Sequence, residues 1–330
     1  MDANSGRQQS DSTECSPTQI DTLTQPGIPN EFALSTACYG GRLKSIEDQA
    51  FAAVGMGFRR VELGLLDQPV TFNGFADSRR ETGISVDSMV AGCLNPKAEN
   101  MSGTRLGSPK AEERERALNS LRRHIRSAQA LECPLVIVRG CAVENDKLQA
   151  EADSLHAELL DATNGQLEAA QSKIGDFVAR VQKKGQKQVE HLCRSLHTLR
   201  AEFPDTRLAL EPGLQFNDIL NFEAMEWALG DLSRQDVAYW HDTGRIHQRE
   251  AAGLPGQGAW LEAFGECLAG VHLQDSTLEE AELPPGQGEV DFRLVLDSVA
   301  STAVRVVEVN PRHGRPEILA CVQFLADMGF

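Results

Sequence analysis

The chain has 330 residues, of which 41% are hydrophobic, and its formal net charge is −16 at pH 7. This length allows one large α/β barrel or two ordinary domains, because a barrel takes about 250 residues or more as one unit. The negative charge would repel a nucleic-acid backbone and the basic residues form no long run, so we expect a small-molecule partner and no nucleic acid.

The N-terminal segment 1–30 is rich in serine, threonine, glutamine and aspartate and has no hydrophobic periodicity, which predicts a disordered tail. It shows no apolar stretch typical of a secretory signal, and no apolar run in the chain approaches the roughly 20 residues of a membrane span. The eight cysteines are scattered without a C-x-x-C pair, which argues against a zinc ribbon or a disulfide scaffold. We therefore expect a cytoplasmic protein that does not bind membranes.

From residue 31 onward, short apolar runs alternate with amphipathic stretches, as in parallel strands connected by helices. Ser45 is predicted to cap the helix after the first strand, and this helix ends at the Gly55–Gly57 segment. Ser108 and Pro109 are predicted to open the helix before the fourth strand. The eight predicted strands are residues 32–38, 60–64, 85–91, 134–140, 208–211, 237–242, 270–275 and 304–310.

Residues 144–185 are polar and helix-prone, and they lengthen the connection after the fourth strand. We predict a helical insertion here that covers the barrel mouth or forms a contact in a homo-oligomer, and the regular helical pattern resumes at Val189. Eight strands separated by helices predict an α/β fold, a single (β/α)8 TIM barrel over residues 31–330. A doubly wound sheet would alternate in the same way, but the glycine fingerprint expected after its first strand is absent.

Each of the last four predicted strands carries a residue type that binds metal ions: Glu211, Asp242, His272 and Glu308. These residues are 31, 30 and 36 positions apart, and one β/α unit of a barrel has about that length. Their side chains should converge at the C-terminal rim, where three carboxylates repel one another unless a cation lies between them. The oxygen-rich set predicts one divalent ion, with Mn²⁺, Mg²⁺ or Co²⁺ favoured over Zn²⁺.

Each member of this quartet also has a structural interpretation. Asp242 and Glu211 stand at strand ends, where an acidic residue often caps the helix that follows. His272 lies in an apolar strand and, taken alone, is more typical of a core histidine. Glu308 is the hardest to explain in this way, because a buried glutamate rarely lacks a partner. The prediction of a metal site therefore depends on the whole set.

Six motifs add a resemblance to a known family. They are Val61–Gly64, Leu208–Pro212, Tyr239–Gly244, Val271–Asp275, Pro285–Phe292 and Val307–Asn310. In order and spacing these motifs resemble the xylose isomerase-like, sugar phosphate isomerase/epimerase family of barrels, whose superfamily includes endonuclease IV-type DNA repair enzymes. The resemblance covers residues 33–330 except the 144–185 stretch.

The resemblance implies a chemistry for the quartet. In the ketose epimerases of this family, the positions that match the four residues bind one metal ion, commonly Mn²⁺, which holds a carbonyl and a neighbouring hydroxyl of the sugar. The two glutamates of such enzymes lie on opposite faces of the substrate carbon and move its proton. By this resemblance, Glu211 and Glu308 are the catalytic acid/base pair.

One position departs from the family pattern. The family usually has a histidine three residues after the aspartate of the sixth strand, and this chain has Arg245 there. A guanidinium carries a permanent charge in a forked group, so Arg245 either clamps a carboxylate or phosphate of the substrate or points to solvent. His247 is an alternative replacement for the missing imidazole. Further candidates for substrate binding are Glu62, Asp275, which is also a candidate orienting partner for the strand-seven ligand, and Arg312.

These observations predict a metal-dependent isomerase or epimerase of a sugar, keto-sugar or inositol-like compound that removes a proton next to a carbonyl. The main alternative is a lyase that abstracts the same proton and then expels a leaving group, such as a keto-inositol dehydratase or a glycoside-cleaving enzyme. The sequence does not separate these two. A non-catalytic binding barrel would not need the quartet, and a repair endonuclease would need further histidine ligands, which the first four predicted strands do not contain.

Overall fold

The computed structural model describes residues 28–66, 68, 70–94, 104–163, 165–213, 215–232 and 236–330, so the predicted tail lies outside the described residues as far as residue 27. Eight parallel strands pair in chain order and close into a barrel. The predicted (β/α)8 barrel is confirmed. Its strands are β1 (Phe32–Ser35), β2 (Arg60–Leu63), β3 (Ser85–Val90), β4 (Leu135–Arg139), β5 (Arg207–Glu211), β6 (Val237–Asp242), β7 (Leu268–Leu273) and β8 (Val304–Val307).

The helices connect these strands. The first helix is bounded as predicted, because the Ser45 hydroxyl accepts a hydrogen bond from the Asp48 N–H at 3.0 Å and Gly57 has a φ of 111°, which favours glycine. The described α-helices are α1 (Ile46–Met56), α2 (Phe75–Thr82), α3 (Ala111–Ala130), α4 (Asp146–Asp161), α5 (Leu167–Glu202), α6 (Phe222–Leu232), α7 (Thr243–Ala251), α8 (Gln257–Phe264), α9 (Phe292–Ser298) and α10 (Arg315–Met328). Short 3₁₀ helices include Thr36–Tyr39, Thr104–Gly107 and Gly265–Cys267.

The predicted seventh and eighth strands end two and three residues too late, since β7 ends at Leu273 and β8 at Val307. Two further predicted boundaries were wrong because a serine hydroxyl bonds locally to the backbone. The first strand was predicted to reach residue 38, but it ends at Ser35, whose Oγ accepts a hydrogen bond from the backbone of the following 3₁₀ helix at 3.3 Å. The helix predicted to open at Ser108 begins at Ala111. Ser108 Oγ accepts a hydrogen bond from the Lys110 N–H at 3.2 Å, so it forms a turn before the helix instead of capping it.

The connection after β4 consists of two long helices. α5 has 36 residues and is therefore about 54 Å long at 1.5 Å per residue. The helical segment predicted to restart at Val189 does not begin there, since α5 continues from residue 167 without interruption. Gly185 lies in the middle of this helix, where a Cβ would be 2.8 Å from Cγ2 of Val143. The missing side chain lets α5 pack closely against the segment that follows β4.

The interior of the barrel is filled by a compact apolar cluster. Its buried members are Ala33, Val90, Leu135, Ile137, Ala209, Ala238, Trp240, Ala269 and Val306. The large indole of Trp240 fits because several inward positions are alanine and because Gly270 has no Cβ, which would lie 2.3 Å from the ring. The centroid of this ring is 4.9 Å from that of His272. Trp240 therefore forms an apolar floor beneath the rim.

The seven cysteines in the described residues are all unpaired, as their spacing predicted. Burial raises the pKa of the Cys133 thiol to about 12 and that of the Cys321 thiol to about 12. These two residues therefore act as small apolar side chains of the core. Among the described helices, none has the length and apolar character that crossing a membrane requires.

His124 connects α3 to the segment that follows β3. Its Nε2 accepts hydrogen bonds from the backbone N–H groups of Gly92 at 2.9 Å and Leu94 at 3.2 Å, and its Nδ1–H donates to the Ser120 carbonyl at 2.8 Å. Burial, assisted by the charge of Arg123, lowers the His124 pKa from 6.5 to about 4 although the Ser120 bond opposes this. The neutral ring therefore holds the chain in place at the C-terminal end of β3.

We predict that this histidine makes the fold less stable in acid. The unfolded chain protonates at His124 near pH 6.5 and the folded protein only near pH 4, so the free energy of unfolding falls as the pH drops through this window. The fall should be on the order of 2 kcal/mol at about pH 4.5. Urea unfolding at about pH 7.5 and about pH 4.5 should show a smaller difference for His124→Gln than for the wild type. His156→Gln, an exposed position on α4, is the control, and equal differences in all three proteins would contradict the prediction.

Candidate active site

The C-terminal ends of the strands place charged side chains at one level of the barrel. The register sets Arg139 beside Glu211 and Asp242 beside His272. The full set at this level is Glu62, Arg139, Glu211, Asp242, His272 and Glu308. The acidic residues and His272 are all buried. Buried charges of this kind need partners, so the contacts within the set determine its geometry.

His272 lies at the centre of the cluster with carboxylates near each ring nitrogen. Its Nδ1 is 2.9 Å from Oε1 of Glu211 and 3.7 Å from Oδ2 of Asp242. Its Nε2 is 3.0 Å from both carboxylate oxygens of Glu62 and 3.5 Å from Oε2 of Glu308. Two groups of three residues therefore have the ligand types and spacing to hold a metal ion: Glu211, Asp242 and His272 on the Nδ1 side, and Glu62, His272 and Glu308 on the Nε2 side. The quartet predicted from the sequence is therefore divided between two groups that share His272.

The Nδ1 group fits a divalent cation. Neighbouring ligands of an octahedral ion are about 3 Å apart when each bond is about 2.1 Å, close to the separations of 2.9 and 3.7 Å in this group. Glu62 on the other side is already engaged, since it accepts hydrogen bonds from Ser35 Oγ at 3.0 Å and Ser88 Oγ at 2.8 Å. This arrangement suits Glu62 to accept the Nε2–H of His272, which leaves Nδ1 free for an ion.

Two arginines lie against the same carboxylates. Arg245 is 4% exposed, donates through Nη1 to Oε1 of Glu211 at 2.9 Å and has its Nε 3.2 Å from Oδ2 of Asp242. It therefore points into the cluster and not to solvent. Arg139 donates through Nε to Oε2 of Glu211 at 2.5 Å and through Nη2 to Oε1 of Glu308 at 3.0 Å. Its guanidinium thus bridges the two glutamates.

These cations keep the two glutamates ionised. Burial opposes the ionisation of Glu211, but the guanidiniums of Arg139 and Arg245 outweigh it and hold its pKa well below the usual value. Burial also opposes the ionisation of Glu308, but His272 and the two arginines lower its pKa to about 2. The surrounding carboxylates in turn raise the pKa of His272 well above its ordinary value although burial opposes this.

Asp242 has a structural role and a place in the site at the same time. Its Oδ1 accepts a hydrogen bond from the backbone N–H of Arg245 at 2.9 Å and so caps α7, as the structural interpretation predicted. Its Oδ2 accepts one from Gln274 Nε2 at 2.7 Å and faces His272. Burial raises the pKa of Asp242 to about 6. The positive charge of Arg245 opposes this rise, and the negative charge of Glu211 adds to it.

Asp275 does not orient the ligand of β7. Its two carboxylate oxygens accept hydrogen bonds from three backbone N–H groups within residues 276–290, at 2.9 to 3.0 Å. The side chain therefore fixes the loop that follows β7. The carboxylate that contacts His272 from outside the predicted quartet is that of Glu62. Of these two candidates, the structure brings only Glu62 into the cluster.

His247 and Arg312 also lie apart from the cluster. His247 Nε2 is 3.7 Å from Oε2 of Glu289, an exposed carboxylate that is not part of the cluster. The Arg312 side chain is 49% exposed and pairs with Glu280. Both residues follow strand ends by several positions, so strand register does not direct their side chains toward the barrel axis.

Three residues of the cluster were not predicted from the sequence: Arg139, Ser35 and Ser88. A signal existed for Arg139, which is the last residue of β4 and pairs in register with Glu211. The serines gave no such signal, because a serine within a strand is common and its role here depends on its distance to Glu62. All three donate hydrogen bonds to buried carboxylates, and of the three only Arg139 also brings a compensating charge.

Solved structures with the same fold include proteins named for sugar chemistry. The chain is similar to a 3-keto-D-glucoside 4-epimerase from E. coli, with a TM-score of 0.61, 15% identity and coverage of 91% of this chain and 100% of that chain. An L-ribulose 3-epimerase matches with a TM-score of 0.59, 14% identity and coverage of 90% and 93%. The IOLI protein with a bound zinc atom matches with a TM-score of 0.55, 12% identity and coverage of 90% and 97%. At these identities the likeness shows the shared fold.

The sequence matches no curated protein. A family model described as the xylose isomerase-like TIM barrel matches residues 50–325. The match extends from α1 to α10 and includes every acidic, basic and imidazole side chain of the cluster at the rim. The chain therefore belongs to the xylose isomerase-like TIM barrel family.

Proposed function

We propose that this protein is a divalent-metal-dependent isomerase or epimerase of a sugar, keto-sugar or inositol-like compound. The observation that carries the proposal is that Glu211 and Glu308 both contact the guanidinium of Arg139 and so face one small space beside His272. Two buried carboxylates on either side of one space are what the transfer of a proton at a single carbon requires. The similar structures named above include two sugar epimerases, which supports the same class of reaction.

In this proposal Glu211, Asp242 and Nδ1 of His272 would hold one ion, with Mn²⁺ preferred and Mg²⁺, Co²⁺ or Zn²⁺ as alternatives. Glu308, the fourth residue of the predicted quartet, lies on the Nε2 side of the ring in this structure and would have to turn toward the ion to join it. A bound ion would supply Lewis-acid polarisation of a substrate carbonyl. One of the two glutamates, as a carboxylate, would remove the proton from the neighbouring carbon, and the other, once it has taken up a proton from solvent, would deliver that proton to the opposite face. Glu62 keeps the imidazole ring in place, and the apolar floor below excludes water.

We also propose that the protein works in a reducing compartment such as the cytoplasm. The support is the set of unpaired cysteines in the described residues, several of which are buried in the apolar core. An oxidising compartment favours paired cysteines, whereas these thiols contribute to packing.

Replacing either Glu211 or Glu308 with glutamine should stop proton transfer, because an amide does not accept a proton. We expect deuterium incorporation from solvent into a keto-sugar to slow by about 10²–10⁴-fold. Proton NMR of the Mn²⁺-reconstituted protein in D₂O measures the rate, and the product separates an isomerase from a lyase. Glu262→Gln, an exposed position on α8, is the matched control. Full exchange in both site variants would show that the assignment of the acid/base pair is wrong.

The purified protein should contain about one equivalent of divalent metal, or take it up from Mn²⁺ solution. Plasma mass spectrometry after gel filtration measures the content. His272→Ala should lose this metal because it removes the ligand at the centre of the cluster, while His156→Ala should retain it. A wild-type protein that holds no metal after incubation with Mn²⁺ would contradict the proposed metal dependence.

Arg245→His should bind Mn²⁺ more tightly than the wild type. The guanidinium of Arg245 contacts the same oxygens of Glu211 and Asp242 that an ion at His272 would use, so its removal reduces the repulsion between the two cations. We expect the dissociation constant to fall by about tenfold, which corresponds to 1.4 kcal/mol. Isothermal titration calorimetry measures it, with Arg180→His as the control. Unchanged or weaker binding would argue against competition between Arg245 and the metal.

A further inference from the structure

The arginines of the site lie in the space between its two glutamates. Arg139 donates to Oε2 of Glu211 at 2.5 Å and to Oε1 of Glu308 at 3.0 Å. Arg245 donates to Oε1 of Glu211 at 2.9 Å, and its Nη2 is 4.0 Å from Oε1 of Glu308. A substrate carbon that both glutamates reach must therefore enter the space that Arg139 bridges.

The exposure of these side chains shows which of them faces the opening. The Arg139 side chain is 12% exposed, whereas that of Glu211 is 0% exposed and that of Glu308 is 4% exposed. The Arg245 side chain is 4% exposed and lies deeper. Among these four groups, Arg139 is therefore the first that an incoming ligand contacts.

A guanidinium remains charged at every physiological pH, and a buried one needs an opposite charge beside it. When Arg139 releases Glu211 or Glu308 to admit a substrate, a neutral hydroxyl offers it a dipole but no compensating charge. A carboxylate or a phosphate offers a full charge and a pair of oxygens that match the two N–H groups of the fork. The geometry of Arg139 therefore favours an anionic ligand over a neutral one.

We propose that the substrate is an anionic sugar derivative whose carboxylate or phosphate binds Arg139 and Arg245 in exchange for the glutamates. This inference rests on the proposed function, because it places the reacting carbon between Glu211 and Glu308. Arg139 is then a specificity-determining residue of the site.

The test compares three probes that share one skeleton: D-fructose, D-fructuronate and D-fructose 6-phosphate. Isothermal titration calorimetry of the Mn²⁺-reconstituted full chain gives the affinity for each probe. We expect D-fructuronate to bind at least about tenfold more tightly than D-fructose. Arg139→Gln should remove most of this preference. Arg180→Gln should retain it, because Arg180 pairs with Glu151 in an exposed contact between α4 and α5 and its replacement makes the same change in net charge.

The probes also identify the anion. A preference for D-fructose 6-phosphate over both other probes would support the proposal with phosphate as the bound group. Equal affinity for all three probes, or no binding of either anionic probe at millimolar concentrations, would overturn it. A preference that persists in folded Arg139→Gln would overturn it as well. Thermal unfolding verifies the fold of this variant, and Arg245→Gln replaces it in the comparison if it does not fold.

Two readouts separate this inference from the proposed function. Tight binding of an anionic probe that depends on Arg139, without deuterium exchange into any keto-sugar, would support the anion site and contradict the isomerase. Deuterium exchange into D-fructose at the same rate and affinity as into D-fructuronate would support the isomerase and overturn the anionic substrate.

Discussion

The need to compensate four buried carboxylates at one end of a barrel determines the arrangement of this site. A carboxylate that leaves water loses several kcal/mol of solvation, so none of the four stays buried without a partner. His272 lies between them and faces a carboxylate with each ring nitrogen. Arg139 and Arg245 also neutralise these carboxylates, Arg139 from the side that faces the opening and Arg245 from deeper in the site. A metal ion bound at His272 would therefore have to share the oxygens of Glu211 and Asp242 with the guanidinium of Arg245.

The barrel contributes the surroundings that make these contacts strong. Below the rim its interior is apolar, and the indole of Trp240 lies against the ring of His272, with 4.9 Å between the centroids. Gly270 on the neighbouring strand leaves room for this indole. Electrostatic interactions are stronger in such an environment than in water, and side chains packed on strands keep their positions. The strands that form the apolar interior thus also determine the orientation of the charged side chains at their C-terminal ends.

Much of the fold and part of the site could be predicted from the sequence, because strand spacing determines which positions share the rim. Glu211 and His272 were found in this way. The contact between Glu211 and His272 could not be predicted in detail, because either nitrogen of an imidazole ring is able to face a carboxylate. The structure shows that Nδ1 faces Glu211 and that Nε2 faces Glu62. Arg139 stood at a predictable position, but an arginine at a strand end is commonly solvent-exposed. Asp275 lies beyond its strand, where loop geometry and not register directs the side chain.

The charged side chains of the pocket belong to this particular sequence, whereas the barrel fold is shared with proteins of very different sequence. Structures only 12% and 15% identical to it have the same barrel, so the barrel alone does not determine which ligand binds. Where the family usually has a histidine, this chain has Arg245, and Arg139 adds a second guanidinium on the same glutamate. A histidine is able to release its proton when a neutral ligand enters, whereas an arginine is not. We therefore expect a ligand to enter this pocket only if it is itself anionic or if the two arginines keep a carboxylate partner when it binds.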